Sequence, residues 1–244
     1  MGSPHRYAAP FVTARTTLRW GLGAFFAAWI AGLVLAVVGA VLAFAVLGPD
    51  TADDDAVVLL ASLVAQAGGA VVAVWIISAT RGQASLRADF GLEIRARDAG
   101  WLLVGIALQF GAALLLLPLT LLEPDQAQSV VESFEAASGG EVVLLAVAVV
   151  VLAPLSEELL FRGVLLRGLL RRTSPGRAVL WSSAVFAAVH LVLDPSLGSA
   201  QALPALMLLG IVAADQVVRT GSLSRSIMLH AGFNLLTAVQ ILTL

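Results

Sequence analysis

The chain has 244 residues, is 59% hydrophobic and only 12% charged, and carries a formal net charge of −2. A soluble domain typically carries about 25% charged residues, so a water-facing globular surface is excluded, and the absence of a basic patch excludes a nucleic-acid binder. Cysteine is absent, which removes disulfides, thiol nucleophiles and cysteine zinc sites.

Residues 1–19 are a polar tail holding Arg6, Arg15 and Arg19. The apolar stretch after it, about 20–47, far exceeds the roughly 7–15-residue core of a cleavable signal peptide and reads as a retained membrane helix. Further apolar stretches follow at about 56–79, 99–122, 142–170, 177–193, 202–218 and 222–244, near the length of about 20 residues that crosses a bilayer core. The expected fold is therefore an all-α, polytopic transmembrane helix bundle of about seven spans. It divides into the tail 1–19, N-terminal helices over 20–141 and core helices over 142–244. The stretch 124–140 reads equally well as a short amphipathic surface helix or as loop.

The loops alternate in charge. Arginines mark the tail, the loop 80–98 (Arg81, Arg87, Arg95, Arg97), the turn 171–177 (Arg171, Arg172, Arg177) and the turn 219–225 (Arg219, Arg225). The loops 48–55, 123–141 and 194–201 hold none, and the first two are acidic. The positive-inside rule puts the N-terminus in the cytoplasm. Trp20, Trp75, Trp101 and Trp181 fall near the same side, as interfacial anchors do. All fourteen basic residues are arginine, a bias that, with the abundant Ala, Val and Leu, points to a multi-pass protein of a bacterial cell membrane.

Ionisable groups inside spans are costly and mark function by default. Away from the span ends the chain has Glu157, Glu158, Arg162, His190 and His230, with Asp215 nearer an end. At about 1.5 Å rise per residue, Glu157 and His190 each lie roughly 20 Å in from the arginine-bearing side, and His230 and Asn234 roughly 12–18 Å. Three helices thus bring them to similar depth. Glu158 and Arg162 are i,i+4 with the acid first, the favourable order for an intrahelical ion pair. Glu157 projects about 100° away and is left available. His230 and Asn234 share a face, as do Phe186 and His190, whose rings can pack together. Each has a plain structural alternative. Glu158–Arg162 is a neutralising pair, Asp215–Arg219 a surface pair, and a single buried histidine or asparagine can simply join helices. At matched depth they point jointly to a site.

A carboxylate and a histidine converging on one water can remove its proton. A second histidine and an amide can donate to the oxyanion that follows. Together these describe amide hydrolysis. A divalent metal such as zinc, held by Glu157, His190 and His230, is the competing arrangement, although no HExxH appears. Serine chemistry lacks a GxSxG elbow.

"EELLFR" (157–162), "FAAVH" (186–190) and "HAGFN" (230–234) resemble the EExxxR, FxxxH and HxxxN motifs of the CPBP family, the type II CAAX prenyl endopeptidase and bacteriocin-processing group. The motifs stand in that family's order over about 145–240, and "RTGSLSRSIMLHAGFN" resembles its approach to the last one. Gly210 fits a small-residue position of the pattern, whereas Ala214 and Asp215 depart from it. The resemblance implies an intramembrane endopeptidase with Glu157 and His190 acting on water, His230 and Asn234 forming the oxyanion site, and Glu158, Arg162 and Phe186 in support. The implied partners are the lipid bilayer and a peptide or membrane-protein substrate, lipidated in some members, with metal use open between a glutamate-dependent and a metal-dependent enzyme. The alternative is a non-catalytic membrane scaffold or immunity protein of the same fold. A proton-relay transporter is disfavoured by the lack of an inverted repeat.

Overall fold

The structure is a computed structural model and describes residues 22–47, 55–122, 137 and 139–243. The polar tail, Trp20, the acidic loop 48–54 and the stretch 124–136 lie outside the described residues.

The described residues form only helices and turns. In order these are α1 (Leu22–Leu47), α2 (Asp55–Arg81), the short α3 (Leu86–Phe90), α4 (Trp101–Leu122), α5 (Gly140–Leu170), α6 (Pro175–Leu193), α7 (Leu197–Thr220) and α8 (Ser224–Thr243). Six of them, all but α3 and α8, are long and apolar enough to cross a membrane. The protein is an all-α, multi-pass helical bundle. The helix α8 is the last of the expected spans and carries Arg225, His230 and Asn234 along its length.

Helix α5 is central, packing on α1, α2, α3, α6, α7 and α8. Around it α1 pairs with α2, α6 with α7, and α4 with α8. In its most apolar stretch α1 buries 6% of its residues inside the protein, against 44% for α7, so α1 presents Val34, Val37 and Val41 outward, the arrangement a lipid-facing helix needs. The α4–α8 crossing rests on glycine. A Cβ on Gly105 would stand 2.0 Å from the Leu229 carbonyl oxygen, and one on Gly232 would stand 2.1 Å from that of Leu102. Backbone therefore meets backbone at this crossing, as small residues allow in membrane bundles.

The arginine-bearing end is more ordered than its sequence suggests. In the loop 80–98, Ser85 caps α3 by accepting the Ala88 N–H. The buried Asp89 accepts from Ser78 Oγ and the Gln83 N–H at 2.5 and 2.9 Å. Arg167 of α5 donates to the carbonyls of Phe90 at 2.8 Å and Gly221 at 3.1 Å, fastening α3 and the α7–α8 turn to the central helix. Arg225, at the start of α8, pairs with Asp98 at 3.1 Å and lies 5.5 Å over the Trp101 ring. Asp215–Arg219 is the i,i+4 pair read from the sequence. At the opposite end α7 begins at Leu197, earlier than the expected 202, because Ser196 caps it by accepting the Ser199 N–H. Pro204 sits inside α7 without ending it.

Candidate active site

Helix α5 leaves the α-helical winding twice. It is α-helical to Val147, π-helical over Ala148–Leu152, α-helical over Ala153–Glu157, π-helical over Glu158–Leu166 and α-helical again to Leu170. The π form closes i→i+5 hydrogen bonds and turns more slowly, and it occurs in helices chiefly at functional sites. Both glutamates sit where the second π segment begins, three and four residues after Pro154.

Glu158 and Arg162 form the expected ion pair at 3.1 Å, with side chains 0% and 1% exposed. Arg162 also reaches the Gly210 carbonyl at 3.4 Å and lies over the Phe186 ring, 4.3 Å from its centroid. A buried guanidinium is thus held by a carboxylate, a carbonyl and an aromatic face, the combination its planar charge suits.

His230 lies between the two glutamates. Its Nδ1 is 3.1 Å from Glu158 Oε1 and its Nε2 is 3.8 Å from Glu157 Oε2. The carboxylate of Glu158 can only accept, so Nδ1 carries a proton and donates it there. The expectation that the two glutamates serve separate faces is therefore too simple. One imidazole presents its two nitrogens in different directions and meets both adjacent carboxylates. Glu157 Oε2 is enclosed and has no hydrogen-bond partner among the described residues, while its side chain as a whole stays 29% exposed. Glu157 is thus partly accessible and makes no hydrogen bond among the described residues.

His190 donates Nδ1–H to the Phe186 carbonyl at 2.8 Å, which leaves Nε2 with its lone pair. The buried Phe186 ring packs edge-on against His190 at 4.8 Å and against His230 at 5.6 Å. It thereby touches Arg162 and both histidines, a wider role than orienting His190 alone. Among the described residues no hydrogen bond or ion pair joins Glu157 to His190; His190 enters the cluster through Phe186. Asn234 donates its side-chain N–H to the Val149 carbonyl of α5 at 2.8 Å.

Chemically, Glu157 Oε2 lies 3.8 Å from His230 Nε2, beyond a direct hydrogen bond but close enough for the two groups to act on one reacting centre. A zinc ion held by two histidines and a glutamate needs three donors converging tetrahedrally at about 2 Å. Glu157, His190 and His230 are not gathered in that way: among the described residues no three His, Asp or Glu side chains form a group able to hold a metal ion. The donors as placed do not fit a metal.

The fold and this cluster define a multi-pass membrane protein with carboxylate, guanidinium and imidazole groups of three helices joined inside an apolar bundle. Residues 139–236, from the start of α5 into α8, match the family described as type II CAAX prenyl endopeptidase Rce1-like. The match takes in all three motifs. The chain matches no curated protein and no solved structure.

Proposed function

We propose that the protein is an intramembrane endopeptidase that hydrolyses a peptide bond with a water activated by Glu157. The carrying observation is the enclosed, unpartnered Glu157 Oε2 lying 3.8 Å from His230 Nε2. In this mechanism Glu157 removes a proton from the water as its oxygen attacks the peptide carbonyl, and the same carboxyl later gives that proton to the leaving amine. His190, with its Nδ1–H tied to the Phe186 carbonyl, keeps Nε2 free to bind and orient the water. A protonated His230 donates from Nε2 to the tetrahedral oxyanion, while Glu158 holds its other nitrogen and Arg162 offsets the charge of Glu158. The family supports a peptide substrate in a membrane setting, and a lipidated chain reaching the site from the bilayer fits that setting.

The test compares protein termini in membranes from cells carrying either the wild type or Glu157→Ala at equal levels. Specific new termini that vanish in the variant are expected, and they name the substrates. Identical termini in both strains, with the wild-type phenotype retained by the variant, would instead make the protein a scaffold.

A further inference from the structure

Among the described residues Asn234 makes no hydrogen bond to another member of the cluster, and its partner is informative. In the first π segment the Ala153 N–H donates to the Ala148 carbonyl. The next rung of that i→i+5 ladder pairs residue 154 with the Val149 carbonyl. Residue 154 is proline, which has no N–H to give. That is the carbonyl on which the Asn234 amide lies, at 2.8 Å. An unsatisfied carbonyl in an apolar interior costs a few kcal/mol, so a donor from a neighbouring helix removes a real penalty.

We propose that Asn234 is a positioning residue, a side-chain replacement for the missing Pro154 N–H that locks α8 to the register change in α5. Asn234 to Val149 and His230 to Glu158 both join these helices. Lower numbers on α5 meet higher numbers on α8, so the helices run antiparallel, and two bonds at separate heights fix both their sliding and their rotation. The consequence falls on Glu157 and His230, whose 3.8 Å spacing follows from that alignment. The i,i+4 spacing of HxxxN then has a mechanical meaning: one residue grips the helix while the other faces the carboxylates. The catalytic consequence rests on the endopeptidase reading; the clamp itself does not.

A double-substitution cycle on the full chain in detergent tests this, with Asn234→Ala, Pro154→Ala and both together. Alanine at 154 restores an N–H, which lets the ladder close around Val149 without Asn234. Asn234→Ala alone is expected to lower the melting temperature and slow cleavage at least tenfold, mainly in kcat. In the Pro154→Ala background the same change is expected to cost little in either measure. An equal loss of cleavage in both backgrounds would overturn the proposal and return Asn234 to the oxyanion. If the wild type cleaves nothing, the endopeptidase reading falls, and the melting temperatures still decide: equal thermal losses in both backgrounds overturn the clamp. Should Pro154→Ala not fold, amide exchange in Asn234→Ala alone gives the answer. Faster exchange at Ala153 and Leu155 is expected, and unchanged exchange there refutes the clamp.

Discussion

Arg162→Leu offers the most direct probe of the site's electrostatics. The substitution keeps an apolar side chain in the helix but removes the guanidinium that sits 3.1 Å from Glu158, beneath the Gly210 carbonyl and over the Phe186 ring. Glu158 is 0% exposed, so no water replaces its partner, and its neighbour Glu157 adds a like charge. Breaking a buried pair by removing one member costs about 3–5 kcal/mol. For a chain of this size roughly 2–4 °C is lost per kcal/mol, so a fall in melting temperature on the order of 10 °C is expected, with reduced yield. The companion variant Glu158→Leu/Arg162→Leu removes both charges, and apolar replacement of a whole buried pair is often neutral or stabilising. It is expected to recover most of the lost stability and still to cleave about 100-fold more slowly or worse, because His230 Nδ1 has lost the acceptor that fixes its orientation. Thermal unfolding in detergent by intrinsic tryptophan fluorescence reads the first effect, and peptide cleavage reads the second. A single variant as stable as the wild type, or a double variant no more stable than the single one, refutes the structural assignment of the pair.

The other substitutions probe packing and the metal question. Phe186→Leu keeps a buried apolar side chain but loses the ring contacts to Arg162, His190 and His230; cleavage should fall further than a stability loss of about 1–2 kcal/mol would explain, as seen by comparing rate with melting temperature. Gly232→Ala puts a methyl group 2.1 Å from the Leu102 carbonyl, forces α4 from α8 and should destabilise by about 1–3 kcal/mol or more. Gly111→Ala, with nothing within 4 Å of the added carbon, should be neutral in the same assay. Cleavage that persists after purification in a strong chelator is expected of a water activated by Glu157; activity restored only by zinc would replace that base with a metal-bound water.

How far the sequence reveals this site depends on the kind of order involved. The i,i+4 pairs were legible because they need only a helix: Glu158 with Arg162, Asp215 with Arg219, and Phe186 edge-on against His190 all stand as the spacing predicts. The π segments of α5 were not, because their cause is partly tertiary. The proline was visible, but the donor that makes its missing hydrogen bond tolerable lies on a helix eighty residues away in the chain. Sequence likewise could not place His230 between Glu157 and Glu158, since a side chain's choice of partner depends on how α8 is rotated. The backbone contacts at Gly105 and Gly232 and Arg225 on Asp98 act on that rotation together with Asn234 on Val149.

The division of labour between the two glutamates follows from one shortage of cations. Two adjacent carboxylates in an apolar bundle need two positive charges, and burying either one alone is expensive. Arg162 is close to Glu158, and its remaining contacts are to a carbonyl and a ring. The nearest basic group to Glu157 is His230, at 3.8 Å, which balances the second carboxylate only while it is protonated. In the proposed step Glu157 takes a proton from water, its own charge disappears and an oxyanion arises beside it, so the negative charge would move from the carboxylate to the substrate within reach of the same His230. The cluster then keeps its charge balance through the step, with little cost for rearranging its surroundings. Electrostatic preorganisation is effective for that reason. Glutamine at 157 would remove the charge that moves, leaving the fold of the cluster in place.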